Sequence, residues 1–275
     1  MIKHSRPRFW IYVLGPYLIW YVASMWWLDA LYNPLFWLFL VYFTYPANIL
    51  IYGINDIFDR ETDQLNDKKK DYEELLTPKK HKKLIVRIVL RQLPFLSLAL
   101  LYGQFGSIAY LLLFWFFGIF YSARPIRAKA IPFIDGIFNI LYIIPALVGA
   151  SLTADPSIQR WVWIAGGLRC IAMHAYSAIP DIQADQKAGI ATVATVLGAR
   201  WTSRYCIFLY VASGILGSIY TGRYWLSVMW ILYGVFVYMS FFQDKVFGYY
   251  KLFPIINMSM GFLLFCAVII DRFFS

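Results

Sequence analysis

The chain has 275 residues, of which 61% are hydrophobic, 20% aromatic and only 15% charged. Soluble domains carry about a quarter charged residues, so this composition excludes an ordinary soluble enzyme, a disordered protein and a disulfide-stapled scaffold. The net charge of +10 comes from basic residues that flank apolar runs, and a chain this apolar is not a nucleic-acid binder.

Apolar runs follow one another along the whole chain and predict nine transmembrane helices. Each run is close to the roughly 20 residues that cross a bilayer as a helix and far longer than a membrane barrel strand. The charge-free stretch 92–123 is too long for one helix, and Gly103-Gln104-Phe105-Gly106 divides it into a hairpin of two. The other runs are 9–28, 30–55, 136–154, 161–180, 205–222, 224–243 and 252–270. The sequence predicts an all-α membrane protein, a bundle of nine helices in one domain over residues 1–275.

Basic residues predict the orientation of this bundle. The N-terminus and every second loop hold 21 Lys and Arg residues, the opposite side holds Arg160, Arg223 and Arg272, and Arg169 lies within a run. Because basic residues accumulate on the cytoplasmic side of membrane proteins, the N-terminus is expected in the cytoplasm. The first run has no small-x-small cleavage site after it and is expected to remain as a helix.

Acidic residues are few, and eight of the fifteen lie between Asp56 and Glu74, directly after the second run. Asn55, Asp59 and Asp63 are spaced i, i+4 and i+8, so a continuing helix would place them along one face. Tyr52 and Asn48 extend that face towards the membrane. This first motif is predicted at the cytoplasmic edge of the second span.

A second pair of acids, Asp181 and Asp185, repeats the i, i+4 spacing at the end of the sixth run, with His174 and Ser177 on the same stripe. Crowded carboxylates repel each other unless a cation lies between them. Donor sets made only of oxygen suit Mg²⁺, which binds through a few carboxylates and substrate phosphates. The two motifs therefore predict a Mg²⁺–diphosphate site; solvated acids at helix ends are the alternative interpretation.

The paired motifs resemble those of UbiA-type intramembrane prenyltransferases, as do nine helices and the segment Tyr121-Ser122-Ala123-Arg124-Pro125-Ile126-Arg127-Ala128-Lys129. In that family an allylic diphosphate binds Mg²⁺ held by both motifs and ionises, and the carbocation alkylates an apolar or aromatic acceptor. The segments around Ser177-Ala178-Ile179-Pro180 and Ala188-Gly189-Ile190 are most similar to lycopene elongases. The resemblance implies dimethylallyl diphosphate as donor and lycopene as acceptor. Gly189 stands where some members have a third acid.

The resemblance also implies residue roles. One Mg²⁺ is expected to bind Asn55, Asp59 and Asp63, and the other Asp181 and Asp185. Asp56 is expected near the substrate, where it orients a basic residue. Diphosphate contacts are expected from Arg60, Arg124, Arg127 and Lys129, and shielding of the carbocation from Tyr52 and Tyr121. His174 is either the acceptor of the proton lost after alkylation or a histidine satisfied in the core.

Two alternatives stay open. The acceptor could be a quinone precursor, a chlorophyllide or a lipid, and a carboxylated aromatic acceptor would favour an added arginine near the metal site. A transporter would favour acids near the bilayer midplane, whereas these acids lie at one edge. The expected partners are an allylic diphosphate, a carotenoid and membrane lipid, and the expected location is a bacterial inner membrane.

Overall fold

The computed structural model describes residues 2–25, 28–59, 78–153, 159–242 and 246–274. These residues form α-helices joined by turns and short 3₁₀ segments, and they contain no β-strand. The α-helices of the described ranges are α1 (Trp10–Ser24), α2 (Pro34–Tyr42), α3 (Tyr45–Phe58), α4 (Pro78–Tyr102), α5 (Phe105–Phe120), α6 (Ile134–Phe138), α7 (Ile144–Ser151), α8 (Gln159–Ala178), α9 (Ile182–Lys187), α10 (Val193–Thr221), α11 (Trp225–Phe242) and α12 (Val246–Phe273).

Several helical stretches are long and apolar enough to cross a membrane. Among the described residues, four stretches have this length and composition, namely Pro34–Phe58, Lys80–Tyr102, Ile134–Ser151 and Gly248–Phe273. Phe105–Phe120 and Ser227–Phe241 are shorter apolar helices. The predicted hairpin is present, because α4 ends at Tyr102 and α5 begins at Phe105. The fold is therefore the all-helical, apolar architecture that the sequence predicts.

The helices fall into two compact units. Unit 1 comprises residues 1–125, 141–158 and 257–275. In its core α1 and α7 pack closely at Gly149, where a Cβ atom would lie 2.8 Å from the carbonyl oxygen of Tyr17. Beside this contact the rings of Tyr17, Tyr21 and Phe36 pack together, with centroids 4.4 Å apart for Tyr21 and Phe36. Glycine is required at position 149 because any side chain would separate the two backbones.

The predicted second span is not one continuous helix, because the chain turns at Phe43 and Thr44 between α2 and α3. Such a break exposes backbone carbonyls that water cannot satisfy inside a membrane. The Asn48 amide donates to the carbonyl of Thr44 (2.6 Å), and Gln92 donates to the carbonyl of Pro46 (2.9 Å). Asn48 therefore stabilises the break, a role that its place on the predicted polar face does not indicate.

Unit 2 comprises residues 126–140 and 159–256. Close packing of α10 on α11 depends on Gly214, where a Cβ atom would lie 2.8 Å from the Cβ of Trp230. The buried guanidinium of Arg169 on α8 lies over the rings of Trp230 and Tyr233, at 5.1 and 5.7 Å. These cation–π contacts stabilise the charge of Arg169 among apolar helices.

Candidate active site

The first motif lies at the end of α3. The helix ends at Phe58 with Asp59 as its cap, and the Asp59 N–H donates to the Asn55 carbonyl at 2.9 Å. The Asn55 side-chain amide donates to Oδ2 of Asp59 and to Oγ of Ser122, the latter at 3.1 Å. Asp59 is 3% exposed. The structure thus joins Asn55 and Asp59, as the i, i+4 spacing predicts.

Ser122 completes this group from the other side. It lies just after α5, and its hydroxyl donates to Oδ2 of Asp59 at 3.3 Å. Ser122 lies within the segment 121–129 that carries the family resemblance, and the hydrogen bond to Asp59 across 63 residues gives it a role there. Tyr121 is half-buried at the end of the same helix, and Arg124 is exposed.

Asp56 is held by two basic residues of the N-terminal segment. Nδ1 of His4 lies 2.8 Å from one carboxylate oxygen, and a guanidinium nitrogen of Arg6 lies 2.9 Å from the other. Arg6 also donates to the side-chain oxygen of Asn55 at 3.3 Å and stacks over the ring of Tyr52, 4.6 Å from its centroid. The sequence predicts for Arg6 only a part in the orientation of the bundle and predicts no role for His4.

Aromatic rings surround the first motif within unit 1. The hydroxyls of Tyr52 and Tyr142 lie 3.1 Å apart, and the Phe9 ring packs 5.8 Å from Tyr52. The ring of Tyr12 stacks on Phe9 at 5.5 Å and meets Tyr142 edge-on at 6.3 Å. Spacing alone does not identify these neighbours of Tyr52, because Phe9 directly precedes α1, Tyr12 lies on α1 and Tyr142 is 90 residues away.

The second motif lies in unit 2, where α8 ends at Ala178 and a 3₁₀ turn runs from Ile179 to Asp181. Asp185 lies on the separate short helix α9. Of the predicted stripe, His174 and Ser177 lie on α8 and Asp181 lies in the 3₁₀ turn that contains Pro180, so the regular α-helix ends before the first acid. Both acids are half-buried, as are Arg127 and Lys129 in the same unit.

Gly189 ends this motif in the left-handed conformation, with φ +67°. Its N–H donates to the carbonyl of Gln186 at 3.1 Å, and the next N–H, from Ile190, donates to the carbonyl of Asp185 at 2.9 Å. Glycine adopts a positive φ without steric cost. The residue found in place of a third acid therefore closes the turn after α9.

His174 lies on α8 and is paired with Asp135, for which the sequence predicts no role. Its Nε2 is 3.2 Å from Oδ2 of Asp135, which is fully buried in α6. The same oxygen accepts the Val193 N–H at 2.9 Å, and Oδ1 accepts the Gly136 N–H at 2.9 Å. The predicted fifth span begins at residue 136, after the charge of Asp135, but the helix begins at Ile134 and includes Asp135.

The donor types of both motifs fit a hard divalent cation, since side-chain oxygens dominate them. Within the described ranges, no group of three or more His, Cys, Asp or Glu side chains could hold a metal ion. Asp63 and Arg60 lie outside the described residues. The amide nitrogen of Asn55 faces Asp59, so Asn55 must turn its amide to share a cation with that carboxylate.

The amino-acid sequence is similar to a family of known proteins. A family model described as "UbiA prenyltransferase family" matches residues 10–252. The chain is similar to a lycopene elongase/hydratase of Halobacterium salinarum, with 34% identity over 94% of this chain and 92% of that protein. It is also similar to a protein of the same name from Haloarcula japonica, with 36% identity over 78% and 73% of the two chains.

Solved structures show the same fold. A UbiA homolog from Archaeoglobus fulgidus bound to GPP and Mg²⁺ superposes with a TM-score of 0.69, covering 96% of this chain and 99% of that one at 19% identity. A UbiA homolog from Aeropyrum pernix superposes with a TM-score of 0.72, covering 98% of each chain at 14% identity.

Proposed function

The chain belongs to the UbiA prenyltransferase family, and we propose that it transfers a prenyl group from an allylic diphosphate to lycopene or a related carotenoid. It is an integral membrane prenyltransferase. The observation that carries the proposed acceptor is the 34% identity, over nearly the whole length of both chains, to a protein named lycopene elongase/hydratase. Dimethylallyl diphosphate is the proposed donor, and a UbiA homolog from Archaeoglobus fulgidus is described as bound to this compound and Mg²⁺.

The polar residues of the site would bind and activate the donor. We propose that Asn55, Asp59 and Asp63 hold one Mg²⁺ ion, and that Asp181 and Asp185 hold another. When bound, Mg²⁺ acts as a Lewis acid that stabilises the departing diphosphate. Ser122 holds the Asp59 carboxylate in place through its hydrogen bond.

Basic residues would complete the diphosphate site. Arg60, Arg124, Arg127 and Lys129 are the proposed contacts to its oxygens. Guanidinium and ammonium groups form strong charge-assisted hydrogen bonds to phosphate oxygens.

Asp56 has a different proposed role, because its carboxylate already lies within 2.9 Å of Arg6. It anchors the N-terminal segment beside the first motif.

The apolar part of the site would protect the carbocation. Rings of Tyr52, Tyr142, Tyr12 and Phe9 lie next to the first motif, and Tyr121 ends α5 beside Ser122. Aromatic faces are negative and attract a cation, while the apolar bodies of the rings exclude water. A carotenoid has no ionic group, so it requires only such an apolar pocket.

We further propose that the single domain crosses the membrane nine times, with its N-terminus and both motifs on the cytoplasmic side of a bacterial inner membrane. The ratio of 21 basic residues on one side to three on the other supports this orientation. Cysteine-accessibility labelling of single variants at position 3 and position 223 would test it. Labelling of both positions from the same side would contradict this topology.

A carboxylated aromatic acceptor remains the competing possibility, because Arg6 is an arginine beside the first motif. Its charge is balanced by Asp56 at 2.9 Å, which favours the carotenoid. A transporter is disfavoured by membership of a prenyltransferase family.

Expression in a bacterium that accumulates lycopene tests the proposed acceptor. Pigment mass analysis should show C45 or C50 products with the wild-type chain and lose them with Asp59→Ala or Asp185→Ala. Asp29→Ala, at an exposed residue, is the matched control and should retain them. Unchanged lycopene in cells whose membranes contain the wild-type chain would contradict the carotenoid acceptor.

A further inference from the structure

Asp135 is a charged side chain buried within an apolar unit. It has no exposed surface, and such a carboxylate is costly to bury unless its oxygens accept hydrogen bonds. Three donors reach it: the Val193 and Gly136 N–H groups at 2.9 Å and His174 Nε2 at 3.2 Å. Two of these are backbone groups, and the third is a side chain able to carry a proton.

The contact with Asp135 determines which nitrogen of His174 is basic. A carboxylate only accepts hydrogen bonds, so Nε2 must carry the proton that it directs at Oδ2. In the neutral imidazole the other nitrogen then lacks a proton and is the basic atom. Nδ1 of His174 is therefore the atom that can accept a proton, and the Asp135 carboxylate stabilises the imidazolium that results.

The distance of His174 from the second motif follows from its position on α8. It precedes Asp181 by seven residues on α8 and the following turn, which corresponds to about 10 Å along the helix. The imidazole therefore lies about two turns of helix from Asp181, which we propose to bind the Mg²⁺–diphosphate.

We propose that Asp135 is a positioning residue that holds His174 as the base for the last step of the reaction. This inference rests on the proposed function. The donor C1–O bond breaks and its electron pair leaves with the diphosphate. The terminal alkene of the acceptor uses its π electrons to bond to C1, which leaves a tertiary cation. Nδ1 of His174 takes a proton from the adjacent carbon, and the C–H electron pair becomes the new alkene.

The same cation can instead be captured by water, and this competition provides the test. Each product molecule records which route it followed, so the ratio of new alkene to alcohol does not depend on how much enzyme is folded. Asp135→Asn keeps the side-chain volume but removes the negative charge beside the imidazole that takes up the proton, so the base is impaired. Its amide offers one acceptor oxygen in place of two, so either the Val193 or the Gly136 N–H also loses its partner.

The experiment compares Asp135→Asn and His174→Gln with the wild-type chain in lycopene-producing cells. We expect at least tenfold less product per membrane-inserted chain and an alkene-to-alcohol ratio lowered at least threefold in both variants. His174→Gln leaves the Asp135 bond to Val193 in place, so it reports on the base even where Asp135→Asn folds poorly.

Thr192→Ala is the matched structural control. Asp135 also helps to start α10 through Val193, and Thr192 caps the same helix by accepting the Thr195 N–H at 3.2 Å. This variant weakens the start of α10 without touching the imidazole, and it should change the amount of product but not the ratio. A wild-type ratio in His174→Gln would overturn the inference, whereas absence of products from the wild-type chain would instead refute the proposed acceptor.

Discussion

The ion pair between Arg6 and Asp56 offers a sharp test of how the N-terminal segment is held. The side chains are 13% and 7% exposed and lie 2.9 Å apart. Hydrogen bonds to charged groups contribute about 1.5–3 kcal/mol, and removal of one partner from a buried pair costs about 3–5 kcal/mol. Asp56 keeps His4 at 2.8 Å when Arg6 is removed, so the lower end of that range applies. We expect Arg6→Ala to destabilise the protein by roughly 3 kcal/mol.

A double-mutant cycle isolates the pair from other effects of each substitution. Arg6→Ala, Asp56→Ala and the double variant should show a coupling of about 1.5–3 kcal/mol, because both charges are removed together in the double variant. For a chain of this size 1 kcal/mol shifts the midpoint of thermal unfolding by about 2–4 °C. Arg6→Ala should therefore lower the midpoint of the detergent-solubilised protein by about 6 °C or more.

The assay follows thermal unfolding of purified protein in detergent, together with product formation in cells. Lys3→Ala removes an exposed basic residue from the same segment and should change the midpoint by less than about 2 °C. Strictly additive effects of Arg6→Ala and Asp56→Ala would refute the reasoning, since they would show that the two charges do not interact.

Three further predictions concern the site and the packing. Ser122→Ala should lower turnover about fivefold in a membrane assay of diphosphate release, because one hydrogen bond to Asp59 contributes about 1 kcal/mol; unchanged turnover would remove Ser122 from the site. Gly149→Ala should reduce the yield of folded protein in fluorescence-detected size exclusion, because its Cβ would lie 2.8 Å from the Tyr17 carbonyl oxygen. Gly167→Ala meets only the Ile140 side chain at 3.6 Å and should be tolerated, so equal losses would contradict the packing argument. Excess chelator should abolish diphosphate release and added Mg²⁺ should restore it; release that continues in chelator would exclude the proposed metal.

Local patterns predict the parts of the site that lie within one turn of helix. The i, i+4 spacing correctly brings Asn55 beside Asp59, since it reflects helix geometry alone. The same argument covers only residues within a helix, and α3 ends at Phe58 and α8 at Ala178, so the spacing alone does not place residues beyond those ends. At Asp135 the sequence predicts the boundary of a span from the charge. Three hydrogen bonds instead allow the carboxylate to be buried within α6.

The sequence by itself determines the apolar helical class, the hairpin at residues 103–104 and the two acidic motifs, because hydropathy and helical spacing are properties of neighbouring residues. Only the tertiary structure decides the pairing of Asp56 with His4 and Arg6, of Ser122 with Asp59, and of His174 with Asp135. These partners lie 52, 50, 63 and 39 residues apart. Contacts at such separations depend on how helices pack against one another, and no local pattern in the chain encodes them.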